Sequence, residues 1–195
     1  MTRMLNRRVA LKMGLLATMG LGVLSRYAEA STDLQSKNKV VVGRWFTEFW
    51  GKTYNSVIVD ELASPEMVLR YSLHRPRHGR EDIKAFMLGF RDAFPDLNFW
   101  GTAPLLADGD HVIGQWEGGG THTGPAFSDL LAGSLPKASG RKTHFTGITI
   151  LRLDSGRIVE EVGLDDGVTA LRQLGLLPNV QAEDETAESI CAKYC

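Results

Sequence analysis

Cysteine is nearly missing: only Cys191 and Cys195 occur among 195 residues, both at the C-terminal end. That excludes a disulfide framework holding a small fold together. With no nearby His the two do not make a zinc site. A bridge spanning i to i+4 closes too short a loop to stabilise much, so the pair reads either as a tail staple or as free thiols. An excess of one charge is also missing. The formal net charge is -1, and neither a basic block nor interleaved aromatics argue for nucleic acid. No G-x-G-x-x-G follows a strand pattern, and P-loop, H-E-x-x-H and G-x-S-x-G motifs are absent. "GGG" at Gly118 to Gly120 follows a strand pattern, but no helix opens there, which argues against a phosphate cradle. The five histidines lack ligand spacing, so no metal and no cofactor is expected. Any chemistry must come from side chains in a pocket.

Long apolar runs are lacking too. The stretch "MGLLATMGLGVL" falls short of the ~20 residues a membrane-spanning helix needs. It follows Arg3, Arg7, Arg8 and Lys12 and leads to "AEA" at Ala28 to Ala30. Charged start, apolar middle and A-x-A end predict a cleaved secretory signal over residues 1–30. "NRRVALK" resembles a bacterial twin-arginine signal, with Arg7 and Arg8 as the pair. The expectation is an exported, periplasmic protein with no stable membrane anchor after cleavage. Residues 31–179 then form the domain, and residues 180–195, with "QAEDETAES", an acidic tail.

Within the domain, Val41, Trp45 and Phe49, with Val42, Phe46 and Trp50, give a broad apolar stripe at helical spacing. A short helix follows over Ser56 to Leu62, then a strand in "MVLRYSL". "HGREDIKAFMLGFRDAFPDL" predicts a helix with Ile83, Phe86, Met87 and Phe90 on its apolar face, stopped by Pro95. A strand runs from Asn98 to Leu106. "ADGD" carries a hairpin signal, and its partner strand starts at His111. A Gly-, Pro- and Ser-rich loop precedes strands Lys142 to Leu153 and Arg157 to Leu164, joined by "DSG". A short helix closes the domain. Segregated helices and strands predict α+β: a curved, mostly antiparallel sheet wrapped around helices, a cone-shaped barrel with an apolar cavity.

Two adjacent carboxylates, Asp165 and Asp166, stand where the last strand gives way to the last helix. If the strand runs unbroken, Ile158, Glu160, Val162, Leu164 and Asp166 share one face. That face is the more apolar one, which aims Asp166 inward and Asp165 outward. One Asp is needed to cap the helix. An inward acid against apolar walls has a raised pKa and can exchange a proton with carbon; a bulge would reverse the assignment. On the neighbouring strand His144, Thr146, Ile148, Ile150 and Arg152 share a face. Arg152 reads either as an oxyanion partner or as a solvated residue beside "DSG", and His74 either as an acid in the cavity or as structural. Trp116, Trp45, Phe49, His144, Ile150 and Val162 are the expected cavity walls around a small apolar ligand.

"GREDIKAFMLGFRDAFPDL", "WEGGGTHTGP" and "FTGITILRLDSGRIVEE", followed by an Asp and "LRQLG", resemble in order and spacing the SnoaL-like polyketide cyclase family. The likeness spans about Val40 to Leu177. It implies a ketosteroid-isomerase-like cone, often a homodimer through the sheet. The family's catalytic Asp lies nine residues before the Gly of "QLG", which lands on Asp166, and its "H-x-P" matches His74 and Pro76. The chain departs from the family at Val162, where Trp is usual, and in a longer loop from Phe127 to Gly140. The resemblance implies a cofactor-free enzyme acting on a small apolar carbonyl compound by aldol-type cyclisation or isomerisation, with Asp166, His74 and Arg152 at the centre. A ligand-binding or scaffold module without catalysis, or a hydrolase or dehydratase, are the alternatives.

Overall fold

The wide apolar stripe near the start forms one helix, α1 (residues 32–50), whose last stretch, Phe46–Trp50, widens into a π-helical turn. The inserted residue rotates the helix phase, so Trp45, Phe46, Phe49 and Trp50 are all buried. The computed structural model describes residues 32–178; the expectations for the signal segment, the acidic tail and Cys191 and Cys195 lie outside them. Helix α2 (Val57–Leu62) starts where the Asn55 side chain accepts a hydrogen bond from Val57 N at 3.1 Å. Strand β1 (Ala63–Tyr71) and the short β2 (Arg77–His78) precede α3 (Gly79–Ala93). Ile83, Phe86, Met87 and Phe90 of α3 are buried as expected, each contributing about 1.5–3 kcal/mol of burial. From the last turn of α3, Arg91 donates to the carbonyls of Phe49, Trp50 and Gly51 at 2.6–3.3 Å, satisfying the end of the π turn.

Strands β3 (Asn98–Gly101), β4 (Leu106–Asp108), β5 (His111–Thr121), β6 (Lys142–Asp154) and β7 (Arg157–Asp165) follow, and α4 (Gly167–Gln173) closes the domain. The expected strand from Asn98 to Leu106 is thus two pieces, both paired with β5. The sheet order is β2-β1-β7-β6-β5-β3, and it is open. Every pairing is antiparallel except β1 with β7, so the sheet is mixed. The architecture is the expected α+β cone, with helices and sheet closing on one apolar core. Ser155 and Gly156 both have positive φ, 50° and 76°, the geometry of the two-residue turn whose twist matches a hairpin.

One irregularity decides what β7 presents to the core. Arg152 pairs with Glu160, but Leu153 pairs with Ile158. Val159 is therefore an extra residue, a β-bulge, and alternation restarts beyond it. After Ile158, the inward residues are Glu161, Gly163 and Asp165, while Val162 and Leu164 turn outward.

Candidate active site

A narrow, mostly apolar cavity lies between helices and sheet, its empty space about 370 Å³ counting the mouth that opens to solvent. Phe46 and Trp50 of α1, Phe90 of α3, and Phe99, Trp116 and Phe145 of the sheet form its walls. Its polar edge comes from Tyr71, His74 and Asp165. Two glycines make the ring positions fit. A Cβ on Gly163 would collide with the Tyr71 ring, and one on Gly147 with the Trp116 ring.

Asp165 sits at the end of β7, brought inward by the bulge. Its Oδ2 accepts hydrogen bonds from Ser72 Oγ at 2.8 Å and Leu73 N at 3.3 Å. Burial pushes its pKa above the usual carboxylate value, against the pull of Ser72, His74 and Leu73. The Ser72 backbone N–H adds to that pull, and among the described residues no side chain donates to Oδ1.

His74 is buried in the turn after β1, with Phe86 and Phe90 ring centroids at 5.1 and 5.2 Å. Its Nδ1 lies 3.0 Å from Asp129 Oδ2, and the other oxygen of Asp129 is bonded by Arg77. Burial raises the pKa of Asp129, but the hydrogen bonds from His74 and Arg77 outweigh it and hold the acid below its ordinary value. Asp129 is thus the anion that orients the ring, and the network assigns the Nδ1 proton to the His74–Asp129 bond. Among the described residues Nε2 has no hydrogen-bond partner. The long loop delivers Asp129. It is docked by Leu131 N to Leu73 O at 3.1 Å and by Phe127 stacked on Phe90 at 5.4 Å.

Several expected site residues lie elsewhere. Asp166 is the N-cap of α4, exposed, with Oδ1 accepting from Thr169 N at 3.2 Å. Those bonds from Thr169 lower its pKa, the reverse of an inward acid. The bulge is the reason: it exchanges the faces of the two adjacent acids. Arg152 points outward to Glu160 at 3.8 Å, which is its solvated reading. His144 lies tilted against Trp100, ring centroids 5.7 Å apart, on the outer face, where Ile150 and Val162 also lie. Strand β6 turns Phe145, Thr149, Leu151 and Leu153 inward instead. Trp45 and Phe49 are buried behind the cavity wall and stacked on one another at 4.1 Å. His74 and Trp116 are the two expected residues that do line the cavity.

Two groups escaped the sequence reading. Asp129 stands in an aperiodic loop, where nothing marks a side chain as inward. Unbroken alternation puts Glu161 on the same outward face as Asp165, yet it is wholly buried. Its carboxylate accepts from Trp45 Nε1 at 2.8 Å, Trp50 Nε1 at 2.9 Å and the Tyr71 hydroxyl at 2.7 Å. Burial raises its pKa to about 7, against the pull of those three donors.

Residues 40–174 match the family model of the SnoaL-like polyketide cyclases. The fold is similar to that of a protein from Jannaschia sp. CCS1 described as a SnoaL-like polyketide cyclase, at 22% identity and a TM-score of 0.62, over 74% of this chain and 96% of that one. It is also similar to TsrD from Streptomyces laurentii, at 22% identity and a TM-score of 0.55, over 73% and 95%. A phenazine biosynthesis-related protein from Pseudomonas aeruginosa shares the fold at 16% identity and a TM-score of 0.61, over 78% and 90%. At these identities the likeness is one of fold. No curated protein matches the chain significantly.

Proposed function

Because this chain belongs to the SnoaL-like polyketide cyclase family, we propose that it is a cofactor-free acid–base enzyme acting beside the carbonyl of a small apolar molecule, with Asp165 as its base. The family supports cyclase- or isomerase-type chemistry in general terms, and a small apolar ligand. The observation that supports the finer reading is that Asp165 and His74, a buried carboxylate and an imidazole held at Nδ1 by Asp129, line the edge of one apolar cavity. A carboxylate whose pKa is raised by burial is a stronger base than a solvated one. Asp165 takes a proton from the carbon next to a carbonyl, leaving an enolate and a neutral carboxylic acid. The enolate carbon attacks a second carbonyl of the same molecule, or is reprotonated at another carbon. In either outcome the proton on Asp165 returns to the product. His74, its ring fixed by Asp129, stands where an oxygen gains charge. On this reading the base is Asp165 rather than the capping Asp166, and Arg152, paired with Glu160 on the outer face, takes no part.

Proton removal can be followed without knowing the natural substrate. In D2O, the hydrogens beside the carbonyl of flat apolar ketones such as 2-tetralone exchange for deuterium, which proton NMR reads directly. The protein should speed this exchange about 100-fold or more over buffer. Equal rates with and without protein for every ketone shown by thermal shift to bind would overturn the proposal.

The outer face of the sheet supports pairing of two copies. Leu106, Ile113, Ile150 and Val162 are neighbours across four strands, and Ile148 and Leu164 form the next row. Ile148 is 51% exposed and Leu164 71%, a contiguous apolar surface of the kind that marks an interface. Ile148→Lys should convert a dimer to a monomer in sedimentation velocity and leave the thermal midpoint of the monomer fold nearly unchanged. A wild-type chain that sediments as a monomer at high micromolar concentration would remove this reading.

A further inference from the structure

Glu161 is fully buried and, among the described residues, has no cationic partner. Three neutral donors take the place of a counter-ion. Trp45 donates to Oε2; Trp50 and Tyr71 both donate to Oε1. The network continues outward. Thr149 Oγ1 lies 2.9 Å from the Tyr71 oxygen and accepts from Trp116 Nε1 at 2.8 Å. While Glu161 is ionised, every hydroxyl hydrogen has one place. Tyr71 gives its hydrogen to Glu161, so Thr149 must give its own to Tyr71.

A proton on Glu161 cannot leave that arrangement intact. Indole N–H groups donate and never accept, so neither Trp45 nor Trp50 can receive a hydrogen from the acid. The Tyr71 oxygen is the one bonded neighbour that can. The added proton therefore sits on Oε1 and points at Tyr71, and the Tyr71 hydrogen must turn away from Glu161. Tyr71 lines the same cavity as Asp165 and His74.

We propose that Tyr71 is the hydroxyl donor to the oxygen of a ligand in this cavity, and that Glu161 is its positioning residue, turning the Tyr71 hydrogen inward or outward as it loses or takes up one proton. The proton comes from solvent, and no other bond changes. The proposal rests on the cavity being the ligand site, as in the function proposed above, but not on Asp165 being the base. The groups facing the pair are two indoles from α1, Thr149 and Trp116 from the sheet, and, further off, the Asp165 charge, which also acts on Tyr71. Burial places the Glu161 transition near neutral pH, at about 7, where a cell could use it.

The four tryptophans make the switch visible. In the 15N-labelled full chain, indole N–H resonances are followed from pH 5 to pH 9. Trp45 and Trp50 should shift with one midpoint near 7, as burial sets it, and Trp116 should follow through Thr149 with the same midpoint. Trp100 reports a separate environment, because its indole donates to Glu117 at 3.1 Å beside His144 on the outer face, so any shift it shows has no reason to share the Trp45 and Trp50 midpoint. Tyr71→Phe should uncouple Trp116 from the transition. Binding of 2-tetralone should be about 3- to 10-fold tighter at pH 6 than at pH 8, the worth of one neutral hydrogen bond, and the difference should vanish in Tyr71→Phe. The shared Trp45 and Trp50 transition should persist in Asp165→Asn, because the Asp165 charge acts on Tyr71 and is not among the groups that shift Glu161, so failure of the base and failure of this pair are read separately. Absence of a common transition for Trp45 and Trp50, a Trp116 that does not follow it, or tetralone binding independent of pH would each overturn the proposal on the wild-type protein alone.

Discussion

Asp165→Asn should slow ketone hydrogen exchange about 100- to 10,000-fold, the usual contribution of a positioned acid–base group, while Asp166→Asn leaves it near the wild-type rate. The two residues are adjacent, carry the same group and differ only in what surrounds them. Asp165 is raised by burial at the cavity edge. Asp166 is solvated and lowered by Thr169 at the start of α4. Asn in place of Asp165 keeps the shape, and its amide oxygen can still accept from Ser72 Oγ and Leu73 N. Folding should not suffer, since a carboxylate that the fold disfavours has been removed. At Asp166, Asn caps a helix about as well as Asp, so only Asp166→Ala should show in a melt, at about 1 kcal/mol. The pH profile gives a second readout. Asp165 must be ionised to act, so exchange should fall on acidification through a midpoint above the ordinary carboxylate value of 3.8. The reverse pattern, a large loss in Asp166→Asn and none in Asp165→Asn, would return the base to the capping residue.

Which of the two adjacent acids faces the cavity turns on a feature that leaves no mark in the amino-acid pattern. Helices α1, α2, α3 and α4 follow from apolar spacing, Pro95 and the Asp pair, and the hairpins from "DG" and "SG". Val159 carries the bulge, yet it is a β-branched residue at home in any strand. Before and after it both phases of β7 contain apolar side chains: Ile158, Val162 and Leu164 in one, Val159 and Gly163 in the other. Periodicity therefore favours the wrong face, because the inward set includes two acids and a glycine. Strand β6 misleads in the same way. Ile148 and Ile150 are outward and exposed, although an apolar pair two residues apart in a strand ordinarily marks the inner face. Counting nine residues back from Gly175 has the same weakness, since it assumes a strand–helix junction of fixed length. Asp129 lies in a loop whose position depends on Phe127 meeting Phe90, a contact 37 residues apart in sequence and invisible to local pattern. The sequence leaves His74 open between cavity and structural roles; it lines the cavity, and Asp129, which orients it, carries no local signal.

Glu161 carries the second large expectation: folding stability should fall as pH rises from 5 to 8, and Glu161→Gln should flatten that fall. The folded protein holds the Glu161 proton up to about pH 7, whereas the unfolded chain releases it near 4.5. Between those values the folded state binds more protons than the unfolded one, so stability decreases with pH. The contribution is complete below 4.5 and gone once pH has passed about 7. At about 1.4 kcal/mol per pH unit, that span corresponds to roughly 3 kcal/mol. Carboxylates with the opposite shift, such as Asp96, Asp129 and Asp166, gain stability only as pH rises toward their unfolded value of 3.8, so they are nearly silent above pH 5. Asp165, raised like Glu161, adds to the fall with the same sign. Gln cannot accept from both indoles and Tyr71 in the manner of a carboxylate, and one orphaned donor costs about 1–3 kcal/mol. That loss is the same at every pH. The slope of urea-derived stability against pH, rather than its level, therefore isolates the charge. Parallel slopes in wild type and Glu161→Gln would mean that the three donors carry the carboxylate without cost, and that no proton enters the Tyr71 network near neutrality.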